Sequence, residues 1–591
     1  MDAAVVTTCD EGGLRAASSA GGTVTFACDG VITVSNTITV DQDTIFDASG
    51  RSVTISGNSA VRVFNVNTGI SFTLVHVTIA NGLSTNGGGI YNQGILTLLQ
   101  CNVLSNSAVG LNGIAGTNGT RGNGTNGATG GPGSDGGNGA EARGGGIYNR
   151  GLLRVTNSTF AANLARGGLG GAGGNGGGGG AYHDQFGRCV AGTSGGNAGV
   201  GGVGGDSFGG SLFNLGDAVL SGCSCFSSSV AAGDGGLGGS AGANACGYGT
   251  NGVAGSGGAG GNAHGGAYCN AGLLTIRETV LASNEAHAGR GGAGANDSSF
   301  PFPQPAGGGR GGQSRGGAAC NLSSNELINV TLTSNRAAGG DGGFGGLYNL
   351  IGCPAKGGDG GDAWGGGVFN SGELSVVNCT IWNNTGTGGT ATNNIGPACP
   401  QIPPDRFGTN GMSLGSAIAA LEAAALWNTI VGGNTNHCFG MILDAGHNLC
   451  SDGSCGFTSD GSLNNTDPKL GPLANNGGPT LTMALGPGSP ALNHANNATC
   501  PLTDQRGVLR PQQGHCDIGA FEQTFLSITT NSTGSFRVEY AGVPNQSYLL
   551  QTSTDLKNWM PQDNRPANSN GLAVFEIPGD PPGRFFRIRL Q

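Results

Sequence analysis

The residues able to act on a sugar chain are few. They are Asp341, the pair Asp359 and Asp362 in the phrase GGDGGDAW, and the dipeptide His183-Asp184. Cleaving a polysaccharide needs two or three carboxylates, or a Lys, Arg or Tyr base, converging on one surface. A histidine beside an aspartate can also be oriented for proton transfer. All of these residues fall inside glycine-rich stretches and not on strand-like ones, and a solvated hairpin tip explains His183-Asp184 without catalysis. The sequence therefore assigns no catalytic residue.

A second group concentrates charge near the carboxy-terminal end. Asp504, Arg506, Arg510, Asp517 and Glu522 stand close together in a chain of which only 10% is charged. An Arg to carboxylate network closing the last coil of a rod accounts for them, ahead of a sugar or metal site. The third group is the cysteines, 17 in all, an odd count without zinc-type spacing. They point to an oxidising compartment. Spacing makes Cys9 with Cys28, Cys450 with Cys455, Cys500 with Cys516, and Cys223 or Cys225 with a neighbouring coil candidate disulfides. Cys223 and Cys225 have no matching His or Cys pair, so no metal site and no cofactor is expected. GGDGGD lacks the tandem recurrence of calcium-binding nonapeptides, and no nucleophile-elbow, phosphate-loop or metalloprotease motif occurs.

Composition decides what holds these residues. Glycine supplies 124 of 591 residues, and at roughly 1 kcal/mol per position it excludes a mainly helical chain. The remaining Val, Ile, Leu, Thr and Asn favour strands and tight turns. Only 25 lysines and arginines are spread along the chain, whose net charge is −10; no basic stripe exists for nucleic acid. No apolar run is long enough to span a membrane. The opening Met-Asp-Ala-Ala runs directly into β-like sequence, which reads as a removed signal peptide with an added initiator Met.

One phrase returns along the chain: GGGIYNQG from Gly87, GGGIYNRG from Gly144, GGSLFNLG from Gly209, GGAYCNAG from Gly265, GGAACNLS from Gly316 and GGGVFNSG from Gly365. Each is followed by short alternating stretches such as LLRVTNSTFAANLA, the period-two signature of strands. Repeats of this kind are coils of a solenoid in which each strand stacks on its equivalent. Ile90, Leu96, Leu98, Ile147, Leu153, Val155, Leu273, Ile276, Val368 and Leu374 are expected to point inward. Asn92, Asn149, Asn214, Asn270, Asn321 and Asn370 are expected to align at a left-handed turn and exchange amide hydrogen bonds along the rod. DEGGLRAASSAGG reads as an amphipathic cap on the first coil.

Five glycine-rich blocks separate successive coils, at about 110–143, 167–208, 232–264, 288–315 and 337–364. In the first, glycines fall at 113, 116, 119 and 122 and, after one slip, at 124, 127, 130, 133, 136 and 139. A three-residue period is that of polyproline-II-type helices, with all the glycines on one edge where another backbone can approach. Most blocks have a glycine-poor centre, so each reads as a hairpin of two arms. Entry at one corner of every coil predicts a polyglycine-II-like bundle beside the rod, with tip disulfides Cys189 to Cys246 and Cys353 to Cys399.

The GGGIYN repeats over residues 22–435 resemble those of autotransporter-like and chlamydial polymorphic outer-membrane-type β-helix proteins. DPKLGPLANNGGPTLTMALGPGSPALNHANNATCPLTDQRGVLRPQQGHCDIGAFE, from Asp467 to Glu522, is similar to the bacterial choice-of-anchor Q domain in its NNGGPT, GSPA, DQRGVLRP and CDIGAFE landmarks. Asn493 stands where an acidic residue is more usual. SYLLQTSTDLKNW and RFFRIRL resemble carboxy-terminal modules of large secreted proteins from Verrucomicrobia-like bacteria, which implies attachment or sorting.

The fold class expected is all-β: a right-handed parallel β-helix with polyglycine-II-like hairpin insertions and a small C-terminal β-sandwich. Residues 1–21 would cap it, 22–435 form the β-helix, 436–524 the last coils and anchor-like segment, and 525–591 the sandwich. The function expected is that of a non-enzymatic extracellular or bacterial cell-surface rod, spacer or adhesin. Its partner would be itself or extracellular carbohydrate. The alternative is a carbohydrate-active β-helix, a polysaccharide lyase or glycoside hydrolase, with the insertions walling its cleft.

Overall fold

The structure, a computed structural model, describes residues 4–123, 128–296, 305–347, 355–392, 407–530, 535–578 and 584–591. It is a parallel β-helix. The coils contribute strands to two long parallel sheets and, from Leu83–Ser84 on, to a third, and coils bearing a hairpin add a two-residue strand to a fourth. The first sheet holds 20 strands, the second 11, the third 7 and the fourth 6. In one coil these are Ile147–Asn149 and Leu152–Thr156 in the first sheet, Thr159–Ala161 in the second and Leu164–Arg166 in the third, with Ala142–Arg143 in the fourth. Registers are residue for residue: Leu153 lies beside Leu96 and Ala218, and Val155 beside Leu98 and Leu220.

This stacking makes one apolar column per inward position, from Val24 and Phe46 through Leu74, Leu98 and Val155 to Leu426. Nine of the ten expected inward residues are buried. Leu273 is not. It is 56% exposed, and Leu274 takes the inward place beside Ala218, because strand Leu273–Arg277 begins on an outward residue. At the amino end, helix Glu11–Ser18 covers the first coil with Leu14, its N-terminus capped by Asp10, and disulfide Cys9–Cys28 ties it down.

The asparagines form the expected ladder. Asn92 donates to Asn149 at 2.7 Å, Asn149 to Asn214 at 2.7 Å, Asn214 to Asn270 at 2.8 Å, Asn270 to Asn321 at 3.0 Å and Asn321 to Asn370 at 2.8 Å. Their backbones are strand, however, not left-handed. The left-handed turns fall elsewhere, at Gln100, Asn157, Glu278, Asn329 and Asn378 and at the first glycine of the repeated phrase, such as Gly144 at φ 62°. The ladder asparagines are extended and buried, and their amides rather than their φ angles fix the choice of residue. A second ladder, Asn106, Asn163, Ser228, Asn284, Asn335 and Asn384, runs parallel to it at the next corner, with Asn284 donating to Asn335 at 3.0 Å.

Two cysteine expectations need correction. Cys455 pairs with Cys438, not Cys450, whose thiol stays free and buried. Cys450 lies on the strand that continues the second sheet, while Cys438 starts the last strand of the first sheet, where the loop carrying Cys455 folds back. Cys223 and Cys225 are also free. Cys223 shares a turn column with Cys101, Ser158, Thr279 and Cys379. There its backbone N–H is bonded by the Thr279 hydroxyl and its thiol donates to the Ser221 carbonyl. It does the work of a hydroxyl, and its column neighbours Ser158 and Thr279 offer no sulfur. Cys225 points into the core between Phe160 and Leu281. Cys500–Cys516 and Cys189–Cys246 are formed. Cys353 and Cys399 lie outside the described residues.

The carboxy-terminal part has two pieces. Six strands, from Leu526–Thr530 to Phe585–Leu590, make two three-stranded antiparallel sheets around Val538, Tyr548, Leu550, Phe575 and Ile577. The segment before them, residues 467–523, covers Ile430 and Leu449 on the last two coils. It then runs back along the outside of the second sheet. Ala520 N–H donates to Thr380, Thr331 to Gln505, Asn329 to the Thr503 carbonyl and Thr480 to the Glu278 carbonyl. It is a strap along several coils, not a plug on the last one. The second sheet records its extent: the outward column reads Thr54, Thr78, Asn102, Thr159 and Ser224 where it is bare, and Val280, Thr331, Thr380 and Ile430, all buried, under the strap.

Candidate functional site

The feature that sets this β-helix apart is the ordered plate built by its glycine hairpins. Each hairpin leaves the third sheet, runs out and back, and re-enters at the fourth. Bonding follows a three-residue period. In the second outgoing arm, Gly167, Gly170, Gly173 and Gly176 donate to the same arm of the next hairpin, and Gly168, Gly171, Gly174 and Gly177 donate to the preceding return arm. Each interior arm thus bonds to both the arm before it and its equivalent one coil on, in two layers. The third residue of each turn faces solvent. Its N–H is often met by a side chain from the previous hairpin: Asn112 accepts from Leu169, Asp234 from Arg290, Asp341 from Thr390, and on the return layer Asp135 from Val200 and Asp359 from Thr409.

Glycine is required by contact distance. A Cβ built on Gly236 would lie 1.9 Å from the Gly171 carbonyl oxygen, and on Gly171 2.2 Å from the Ile114 carbonyl oxygen. The first outgoing arm is the exception that locates the edge. It carries Leu111, Ile114, Thr117 and Thr120 at positions that are glycine in the next arms, because no arm precedes it. A sixth hairpin, with arms 388–392 and 408–412, extends the plate beyond the five blocks read from sequence; Gly389 donates to Gly361 and Gly411 to Gly389. Its glycine runs are shorter, GTGGTA and GTNG.

A groove of about 610 Å³ follows the corner where the third sheet meets the outgoing layer. Arg166, Arg290, Arg336, His287, Asp234, Asp341, Thr387 and Thr390 supply its polar groups. A neighbouring depression of about 410 Å³ continues along the plate past Leu237, Phe344 and Leu347. The carboxylates here are occupied. Burial tends to raise the Asp341 pKa, but hydrogen bonds from the Thr390 N–H and hydroxyl and the charge of Arg290, 3.6 Å away, leave it below the ordinary range. Asp359, on the other layer, is also lowered, first by the Thr409 N–H. Neither is set up to give a proton to a leaving group, which requires a raised pKa. Glu285 is engaged with His287 at 2.6 Å.

His183 and Asp184 lie at the tip of the second hairpin and do not form a pair. The His183 ring contacts the Gly187 carbonyl at 3.2 Å, while Asp184 accepts from the Phe186 and Arg188 N–H groups. The Cys189–Cys246 disulfide joins this tip to that of the third hairpin. His183 is close to both sulfurs, which are committed to each other.

The charge network of the strap is buried. Arg506 bonds Asp504 at 2.8 Å and lies 3.7 Å over the Phe521 ring. Arg510 bonds Glu522 at 3.0 Å and the Asp517 and Gly519 carbonyls at 2.7 Å each. Burial, opposed by Arg510 and reinforced by Asp517, raises the Glu522 carboxyl to about 7. Burial also raises Asp517. Asp504, Asp517 and Glu522 are enclosed in this network, which fastens the strap, while Arg506 and Phe521 also line a hollow of about 340 Å³. A carboxyl raised on folding binds protons more tightly folded than unfolded, so its contribution is full below the unfolded value and fades as pH climbs from there towards 7. The strap is therefore expected to exchange amide hydrogen more slowly at pH 5 than at pH 8, after correction for intrinsic rates, and Glu522→Gln is expected to flatten that difference.

Compared with protein-family models, with curated proteins and with solved structures, the chain finds no match.

Proposed function

We propose that the protein is a non-enzymatic extracellular or cell-surface rod, a spacer or adhesin whose contact surface is the glycine plate. The observation that carries this reading is the plate itself: six hairpins held in a two-layer lattice by backbone bonds, with one outward side chain per turn. Side chains would recur about every 9 Å along an arm, three residues at 3.1 Å each, and about every 4.8 Å between coils. Such a grid suits an extended, repetitive partner, either a polysaccharide chain or another copy. Four disulfides among the described residues agree with an oxidising compartment. Among those residues no helix is long and apolar enough to cross a membrane. The resemblance of residues 467–522 to an anchor domain supports a surface location.

The second reading, a polysaccharide lyase or glycoside hydrolase, rests on the groove and its Arg, His and Asp residues. The lowered pKa of Asp341 weighs against it. Co-sedimentation with insoluble polysaccharides, with sedimentation velocity for self-association, tests the contact role. Gly236→Val, which disrupts the plate but not the coils, is expected to abolish whichever association the native protein shows. Association undiminished in that variant would remove the plate from the function.

A further inference from the structure

Seven cysteines among the described residues are free, and two of them differ from the rest. Cys269 and Cys320 occupy the same position on adjacent parallel strands of the first sheet, Tyr268–Asn270 and Ala319–Asn321, directly in register. No other two free cysteines among the described residues are register partners: Cys225 lies between Phe160 and Leu281, and Cys379 and Cys101 sit in a turn column among Ser158, Thr279, Val330 and Thr429. Neighbouring strands lie about 4.8 Å apart, within the Cα separation of about 4.4–6.8 Å that a disulfide spans.

The side chains of this column point away from the core. Tyr148, Phe213, Cys269, Cys320 and Phe369 stack outside the first sheet, under Phe208 and Trp364 from the fourth. Both cysteines are fully buried there. His264, 5% exposed and stacked on Phe208 at 4.5 Å, places Nδ1 3.8 Å from the Cys320 sulfur. Arg315 belongs to the same corner, its guanidinium 5.3 Å over Phe369.

We propose that Cys269 and Cys320 are a thiol pair that closes to a further disulfide, stapling two coils at the corner where the third and fourth hairpins re-enter the rod. The oxidant is a low-molecular-weight disulfide, RSSR, admitted when that corner opens. Cys320 gives its proton to His264 and attacks one sulfur of RSSR, forming a mixed disulfide and releasing RS⁻, which takes the proton. Cys269, losing its own proton, attacks the Cys320 sulfur and releases the second RS⁻, which leaves as RSH. Two protein S–H bonds and one reagent S–S bond become one protein S–S bond and two RSH, and two electrons pass to the reagent. Cys320 is the attacking sulfur: burial raises its pKa, but hydrogen bonds from Cys269 and His264 outweigh it and bring the thiol to about 6. Burial drives Cys269 the other way, as it does Cys101, Cys223, Cys225, Cys379 and Cys450.

The test is non-reducing peptide mapping of the native protein, purified under reducing conditions mild enough to keep its surface disulfides, then equilibrated with oxidised and reduced glutathione. Free thiols are alkylated in denaturant before digestion. The proposal expects a linked peptide joining Cys269 to Cys320, with the other five buried thiols alkylated, and oxidation at least tenfold slower in His264→Phe. The same equilibration in a low concentration of urea, which opens the corner without unfolding the rod, is expected to speed the link. Cys269 and Cys320 recovered alkylated under both conditions, or linked to any other cysteine, would overturn it. The wild-type protein alone decides this, whatever the folding of the variant.

Discussion

Gly236→Val is expected to unravel the glycine plate around the third hairpin while the coils stay folded. The substituted Cβ would meet the Gly171 carbonyl oxygen at 1.9 Å and the Gly170 carbonyl oxygen at 3.0 Å, and a clash of the Cβ itself with backbone is relieved by no rotamer. The arm must shift, breaking the bond from Gly236 to Gly202 and those of the adjoining turns, Gly233 to Gly205 and Gly239 to Gly199. At about 1 kcal/mol net for each bond, the arm loses roughly 3 kcal/mol, enough to open it for most of the time if its local stability is of that order. Hydrogen exchange should rise sharply over 199–205, 233–242 and 252–261 and stay unchanged over Leu273–Arg277. Leu237→Ala, one residue on but facing solvent, should leave both regions as they are.

Asn214→Ala is expected to weaken the rod itself. Asn214 is fully buried, accepts from Asn149 at 2.7 Å, and donates to Asn270 at 2.8 Å and to the Gly216 and Leu273 carbonyls at 3.0 Å. Removing it leaves several buried groups one partner short and a small void, a loss of about 3–5 kcal/mol by the usual costs of unsatisfied polar atoms and cavities. In a solenoid such a loss is felt by nearest neighbours. Exchange should therefore accelerate in strands 147–149, 212–214 and 268–270 and fade within two coils. Asn112→Ala, which removes an exposed bond to Leu169, serves as the contrast and should cost less than about 1 kcal/mol.

The rod was legible in the sequence because a coil repeats its chemistry at fixed places. GG before a short alternating strand, and Asn at its end, gave the sheets and the first ladder. The second ladder was harder to see, since Ser228 interrupts its asparagines. The glycine period predicted paired arms, and the plate has them. What escaped was the meaning of departures from the period: Leu111 and Ile114 mark an edge, and Thr387 to Met412 a sixth hairpin whose short glycine runs look like an ordinary loop. Leu273 and Leu274 show the limit of alternation, for two adjacent leucines leave the phase of a strand open until its neighbour, Ala218, fixes it. The disulfide Cys438–Cys455 depended on which coil corner the chain turns back at, which spacing along the chain does not encode. The strap was placed at the end of the rod because the charges of 504–522 are consecutive in sequence. The groups on the rod that the strap bonds, Asn329, Thr331, Asn378 and Thr380, belong to coils one hundred or more residues away.

The carboxylates give the account its sharpest division. Asp341 in the groove and Asp359 on the plate are held low by N–H groups and arginine, while Asp517 and Glu522, raised by burial, are enclosed within the strap. A glycoside hydrolase would need a raised carboxyl facing the groove to serve as its general acid. The decisive measurement incubates the purified protein with a panel of acidic and neutral polysaccharides and follows new reducing ends, unsaturated products and bound protein together. Association without product is the expected result. Product that appears with the native chain and vanishes in Asp341→Asn or Asp359→Asn would contradict it.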